Sequence, residues 1–155
     1  MSVLVFLIVA GLFLFYIIEI DHLIDESGQG ATGNALIYTH YLIFIGLGMV
    51  TVSLGFLKEK EVHPLFLLAF LFIGLALFYL GSLFLAIHNQ PDRRLTKRLL
   101  GSMGLVAFVS FLLASFLASN SLFLALLVCL MTWSLTLLFL NFNRQTAKKR
   151  QEKVD

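Results

Sequence analysis

Residues 62–87 read VHPLFLLAFLFIGLALFYLGSLFLAI, a stretch with no Lys, Arg, Asp or Glu. A helix rising ~1.5 Å per residue needs ~20 apolar residues to cross a ~30 Å hydrocarbon layer, and this stretch exceeds that length. Four further uncharged runs flank it, at 1–18, 35–57, 99–119 and 121–140; only the first is slightly short. Backbone polar groups in lipid must be satisfied within the segment, and none of the runs shows the ten-residue in–out alternation of an outer-membrane barrel strand. The expectation is therefore an all-α integral membrane bundle of five transmembrane helices. The spans fall at about 2–20, 35–57, 64–87, 99–118 and 121–141. They form one domain over 1–142, followed by a basic tail at 143–155.

Composition excludes the other classes. The chain has 155 residues, 59% hydrophobic and 13% charged, against about 45–50% and about 25% for a soluble domain. The connections between runs are too short to bury a separate soluble core, so any function sits in the bundle or on its rim. The single Cys129 permits no intramolecular disulfide. The first run has no Lys or Arg before it and no small-residue cleavage site after it, so it reads as a mature helix and not as a signal peptide. A soluble basic domain or an aromatic-interleaved basic patch is missing, which argues against nucleic acid as a partner. The bilayer itself is the expected partner.

The basic residues orient the bundle. Lys58 and Lys60 lie between the second and third runs. Arg93, Arg94, Lys97 and Arg98 lie between the third and fourth, and Arg144, Lys148, Lys149, Arg150 and Lys153 follow the fifth. An N-terminus outside and a C-terminus in the cytoplasm place nine of these eleven inside, as the positive-inside rule requires. The expected location is the cytoplasmic membrane. Small residues recur at helical spacing, at Gly48 and Gly55, Gly74 and Gly81, and Gly101 and Gly104. In lipid such positions let backbones approach, so these six are expected packing positions, within the chain or against a second copy or another membrane protein.

In that orientation the polar residues gather on the cytoplasmic side. Glu19, Asp21, His22, Asp25 and Glu26 end the first span, Tyr38, His40 and Tyr41 open the second, and His88, Asn89 and Asp92 close the third; His63 lies on the opposite side. Imidazole and carboxylate together bind a divalent metal or relay protons. Glu19, His22, His40 and His88 are the metal-ligand candidates, and Glu19, His40, Tyr38 and Tyr41 the relay candidates. An ionisable group at membrane depth is costly, which singles out Glu19 and His40. The competing reading is a solvated rim of the kind that any multi-pass protein carries. Nucleophile, phosphate-loop and His-Glu-x-x-His motifs do not occur, so a catalytic role is not expected and no cofactor is called for.

Tyr38-Thr39-His40-Tyr41 opens a span that continues through Gly46-Leu47-Gly48 to Ser53-Leu54-Gly55. His63-Pro64, the helix Gly74-Leu75-Ala76-Leu77-Phe78-Tyr79-Leu80-Gly81 and a basic turn from Arg93 to Arg98 follow. From Tyr16 onwards this order resembles the C-terminal half of the bacterial low-temperature-requirement A family. Its members are generally more than twice as long, and Tyr16-Ile17-Ile18-Glu19 stands where the family has an aromatic segment ending in Tyr-Phe-Asp. The resemblance implies a multi-pass membrane protein associated with growth in the cold, without an agreed reaction. It also implies that this chain is a fragment, one half of a split system or a relative working as an oligomer. Three functional expectations follow: a non-enzymatic membrane protein in stress or cold adaptation or in transport, a metal-binding or redox protein, or a proton-coupled transporter subunit.

The orientation is directly testable. A green fluorescent protein fused behind Asp155 is expected to fluoresce in a bacterial host, and alkaline phosphatase fused at the same point is expected to be inactive; the opposite pair of results would invert the topology.

Overall fold

A computed structural model describes residues 1–23, 33–57, 62–85 and 95–151. Five helices account for nearly all of them: α1 (Ser2–Leu23), α2 (Gly33–Phe56), α3 (Pro64–Leu85), α4 (Lys97–Leu117) and α5 (Ser121–Gln151). Each contains a segment long and apolar enough to cross a membrane. No strand occurs among the described residues. Lipid surroundings explain why Phe6 stands 70% exposed and Phe116 85% exposed, since hydrocarbon welcomes side chains that water would drive inward.

Local chemistry sets the helix ends. Thr96 precedes α4, and its Oγ1 accepts from the Leu99 amide at 3.4 Å. Pro64 occupies the first position of α3, where its missing N–H is no loss, and His63 Nδ1 accepts from the Leu65 amide at 3.3 Å. The α4–α5 hairpin turns on Asn120. Its amide donates to Leu117 O at 2.9 Å, while its Oδ1 accepts from the Leu122 and Phe123 amides at 3.2 and 3.4 Å. Capping of this kind satisfies donors that a helix start leaves open.

α2 and α3 make the tightest pair. A Cβ on Gly46 would lie 2.6 Å from Phe78 N and 2.7 Å from Gly74 O; one on Gly74 would meet Met49 Cβ at 2.8 Å; one on Gly81 would meet Ile43 Cγ1 at 2.7 Å. The two backbones touch, and only hydrogen fits between them. At Gly48, Gly55, Gly101 and Gly104 nothing lies within 4 Å of where a Cβ would stand, so these four make no close crossing within this chain. Helical phase is the reason, because Gly48 is two residues from Gly46 and so about 200° around the helix.

α1 packs along α5. Trp133 Nε1 donates to Leu7 O at 3.1 Å, and Thr136 Oγ1 donates to Gly11 O at 3.1 Å. Phe15 stacks on Phe139 with ring centroids 4.6 Å apart. Contacts that advance together from 7 to 15 on α1 and from 133 to 139 on α5 show two parallel helices, as four intervening reversals require. α5 is the most enclosed helix and α4 the least, with Leu99, Met103 and Ala114 the buried residues of α4. Residues 143–151 of the basic tail continue α5 as helix.

The crossing glycines generate a stability prediction. Gly46→Ala and Gly74→Ala push a methyl into backbone and are expected to cost about 1–3 kcal/mol. Gly48→Ala, with open space, is expected to stay within about 0.5 kcal/mol of the parent. Unfolding in mixed detergent micelles measures all three.

Candidate functional site

On α1 the buried residues Ile8, Leu12 and Phe15 follow one stripe, and Glu19 continues it at the next turn. Glu19 is 1% exposed. A carboxylate therefore occupies a core position of an apolar helix, four residues beyond the ring that anchors α1 in the bundle. Phe15 holds that place by stacking on Phe139 and by meeting Tyr79 edge-on at 5.1 Å. Phe78 lies edge-on to Tyr79 at 5.2 Å. The aromatic cluster joins α1, α3 and α5 just inside the end that carries Glu19.

α2 reaches the same end. Tyr16, three residues before Glu19, meets the His40 imidazole edge-on with centroids 6.0 Å apart. His40 is half-buried and also packs against Phe44 at 6.4 Å, while Thr39 beside it is buried. Two of the expected site residues, Glu19 and His40, thus belong to one end of the bundle, His40 against the Tyr16 ring and Glu19 three residues further along α1. Tyr38 and Tyr41 are exposed on the outer surface of α2 and do not join the buried carboxylate. His22 lies in the last turn of α1, with its side chain outside the described residues. His88, Asp25, Glu26, Asn89 and Asp92 also lie outside them.

Among the described residues, no three His, Cys, Asp or Glu side chains converge to hold a metal ion. The described members of the metal set, Glu19 and His40, supply two groups where a closed site takes about four. A carboxylate and an imidazole at one end of an apolar bundle are the kinds of group that hold and pass a proton. His63, at the other end, has the separate task of starting α3.

Buried hydroxyls that the residue pattern did not single out also line the interior. Ser82 Oγ donates to Phe78 O at 3.0 Å, and Thr132 Oγ1 donates to Cys129 O at 2.9 Å. Thr136 bridges α5 and α1. Thr132 and Thr136 stand four apart, so their shared face was open to reading from the sequence. Tyr79 is different: its hydroxyl is buried and has no hydrogen-bond partner among the described residues. It is the one tyrosine among the aromatics of α3, but its burial is not readable from the sequence.

The arrangement of five apolar helices agrees with one further finding. The sequence profile of the bacterial low temperature requirement A protein (LtrA) matches residues 1–142. The chain belongs to the LtrA family. The match begins at residue 1, so the likeness expected from Tyr16 onwards, and only to a C-terminal half, extends back over all of α1. No curated protein and no solved structure matches the chain. As a member of the LtrA family with five membrane-crossing helices, it is a multi-pass protein of the bacterial cell membrane.

Proposed function

We propose that this LtrA-family chain is a non-enzymatic, transport-associated component of the cytoplasmic membrane in which Glu19 takes up and releases protons. The single observation that carries this reading is the 1% exposure of Glu19 within an apolar span. A carboxyl group in hydrocarbon must be neutralised by a proton or by partners, and such groups commonly mark ion and proton pathways. His40, which packs against the Tyr16 ring one turn of α1 before Glu19, is the second residue of the pathway. With the C-terminus in the cytoplasm, both lie at the cytoplasmic end of the bundle. Five helices leave little room for a pore of their own, so the working unit is an oligomer or a complex with another membrane protein. The family description, a low temperature requirement, fits a role in maintaining membrane function in the cold.

Reconstituted vesicles with a pH-sensitive dye inside and an imposed potassium diffusion potential test the reading. The parent protein is expected to accelerate proton entry, and Glu19→Gln to lower the rate at least tenfold. A membrane-permeant carbodiimide, which attacks the protonated carboxyl, is expected to label Glu19 and to label it less as pH rises. Equal proton entry for parent and Glu19→Gln would sink the proposal.

A further inference from the structure

α5 runs to Gln151, well past its apolar part. From Ser121 to Asn141 the helix rises ~30 Å at ~1.5 Å per residue, the thickness of the hydrocarbon layer. Residues 142–151 therefore stand at the headgroup level and beyond it.

One stripe of α5 is turned outward from residue 126 to residue 148. Leu126, Leu130 and Leu137 are exposed on it, and Asn141, Arg144 and Lys148, also exposed, continue it. Steps of three, four and seven residues keep all of these on one side of a helix. The stripe changes from aliphatic to polar at residue 141, at the depth where hydrocarbon ends. Gln145 borders it, and a shallow groove runs among Asn141, Arg144, Gln145, Ala147 and Lys148. Elsewhere on the same turns Phe142 and Thr146 are half-buried, and the Thr146 hydroxyl donates to Phe142 O at 2.8 Å.

Charge, depth and continuity each narrow the occupant of this groove. Its wall brings a guanidinium, an ammonium and two side-chain amides, and no carboxylate, so the occupant is an anion rich in acceptor oxygens. A phosphate suits both cations: the guanidinium offers it a fork of donors and the ammonium a point charge. Arg144 and Lys148 stand four residues apart, as neighbours on the helix surface that can close on one group. Arg144 lies ~4.5 Å beyond Asn141 along the axis at ~1.5 Å per residue, outside the hydrocarbon edge where phospholipid phosphates sit. The leucines that precede Asn141 give an acyl chain an apolar track, for which a soluble anion has no use.

We propose that this stripe binds an anionic phospholipid, its phosphate held by Arg144 and Lys148, its ester oxygens by the Asn141 amide, and an acyl chain lying along Leu137, Leu130 and Leu126. A zwitterionic lipid carries a cationic group beside its phosphate, which the two basic side chains repel, so a headgroup of net negative charge is preferred. The site goes beyond proton exchange at Glu19 and does not require it.

The test places the full chain in phosphatidylcholine vesicles with a trace of spin-labelled phosphatidylglycerol or spin-labelled phosphatidylcholine. Electron paramagnetic resonance reads the fraction of each label immobilised on the protein. The parent is expected to hold the phosphatidylglycerol label about fivefold more strongly, and Arg144→Gln combined with Lys148→Gln to bring that preference below about twofold, the scale of basic charges near a membrane surface. Both positions are exposed, so the substitutions disturb no packing. Lys149→Gln combined with Arg150→Gln removes two charges from the same tail, leaves the stripe in place and is expected to keep most of the preference. No preference in the parent, an undiminished preference without Arg144 and Lys148, or an equal loss without Lys149 and Arg150 would each overturn the proposal. The last outcome would mean a diffuse attraction of the whole tail. Release of the phosphatidylglycerol label by inorganic phosphate, but not by sodium chloride of equal ionic strength, would also overturn it and assign the groove to free phosphate.

Discussion

The bilayer interior supplies no water to satisfy a stray donor or acceptor, and this constraint shapes every element of the molecule. It explains why all five spans are helical. It also explains the behaviour of the small hydroxyls, which turn back onto their own helices: Thr51 to Leu47 O, Ser53 to Met49 O, Ser82 to Phe78 O and Ser115 to Leu112 O. Polar side chains that leave their own helix do so to join two helices, as Trp133 and Thr136 join α5 to carbonyls of α1. Two features of the interior differ: the Tyr79 hydroxyl has no hydrogen-bond partner among the described residues, and a carboxylate, Glu19, occupies a core position.

Because lipid is as apolar as leucine, burial of hydrocarbon does little to choose which helices meet; close packing and hydrogen bonds choose instead. The bundle uses both in separate places. α2 and α3 rely on contact between backbones at Gly46, Gly74 and Gly81. α1 and α5 rely on hydrogen bonds and on the Phe15–Phe139 stack. α4 is tied to α5 by a tight turn and has few buried residues of its own. A cavity among α3, α4 and α5 lies along this loosely packed helix, where no glycine crossing draws α4 onto α3.

Much of this was legible beforehand. Helix number, class and approximate limits followed from the uncharged runs, since lipid leaves the chain no other way to satisfy its backbone. The likeness to the low-temperature-requirement A family was carried by short motifs around His40, His63-Pro64 and Gly74 to Gly81, and the family profile extends it to residue 1. The glycines were harder to read. Gly48 and Gly74 look alike in sequence, yet one faces open space and the other faces Met49. The difference depends on the direction in which each helix turns its face, and helices that are apolar all round carry no amphipathic stripe to announce it.

Sequence alone set the number of membrane-crossing helices, their approximate limits and the gathering of carboxylate and imidazole groups near one end. These properties depend on local length, charge and capping. Tertiary structure alone decided that Glu19 is enclosed while Tyr38 and Tyr41 are not, that Gly46 makes the closest crossing, and that the Tyr79 hydroxyl has no partner among the described residues. Those outcomes depend on which faces of separate helices meet, and in hydrocarbon that choice is made by shape and hydrogen bonding across the chain, not by any pattern along it.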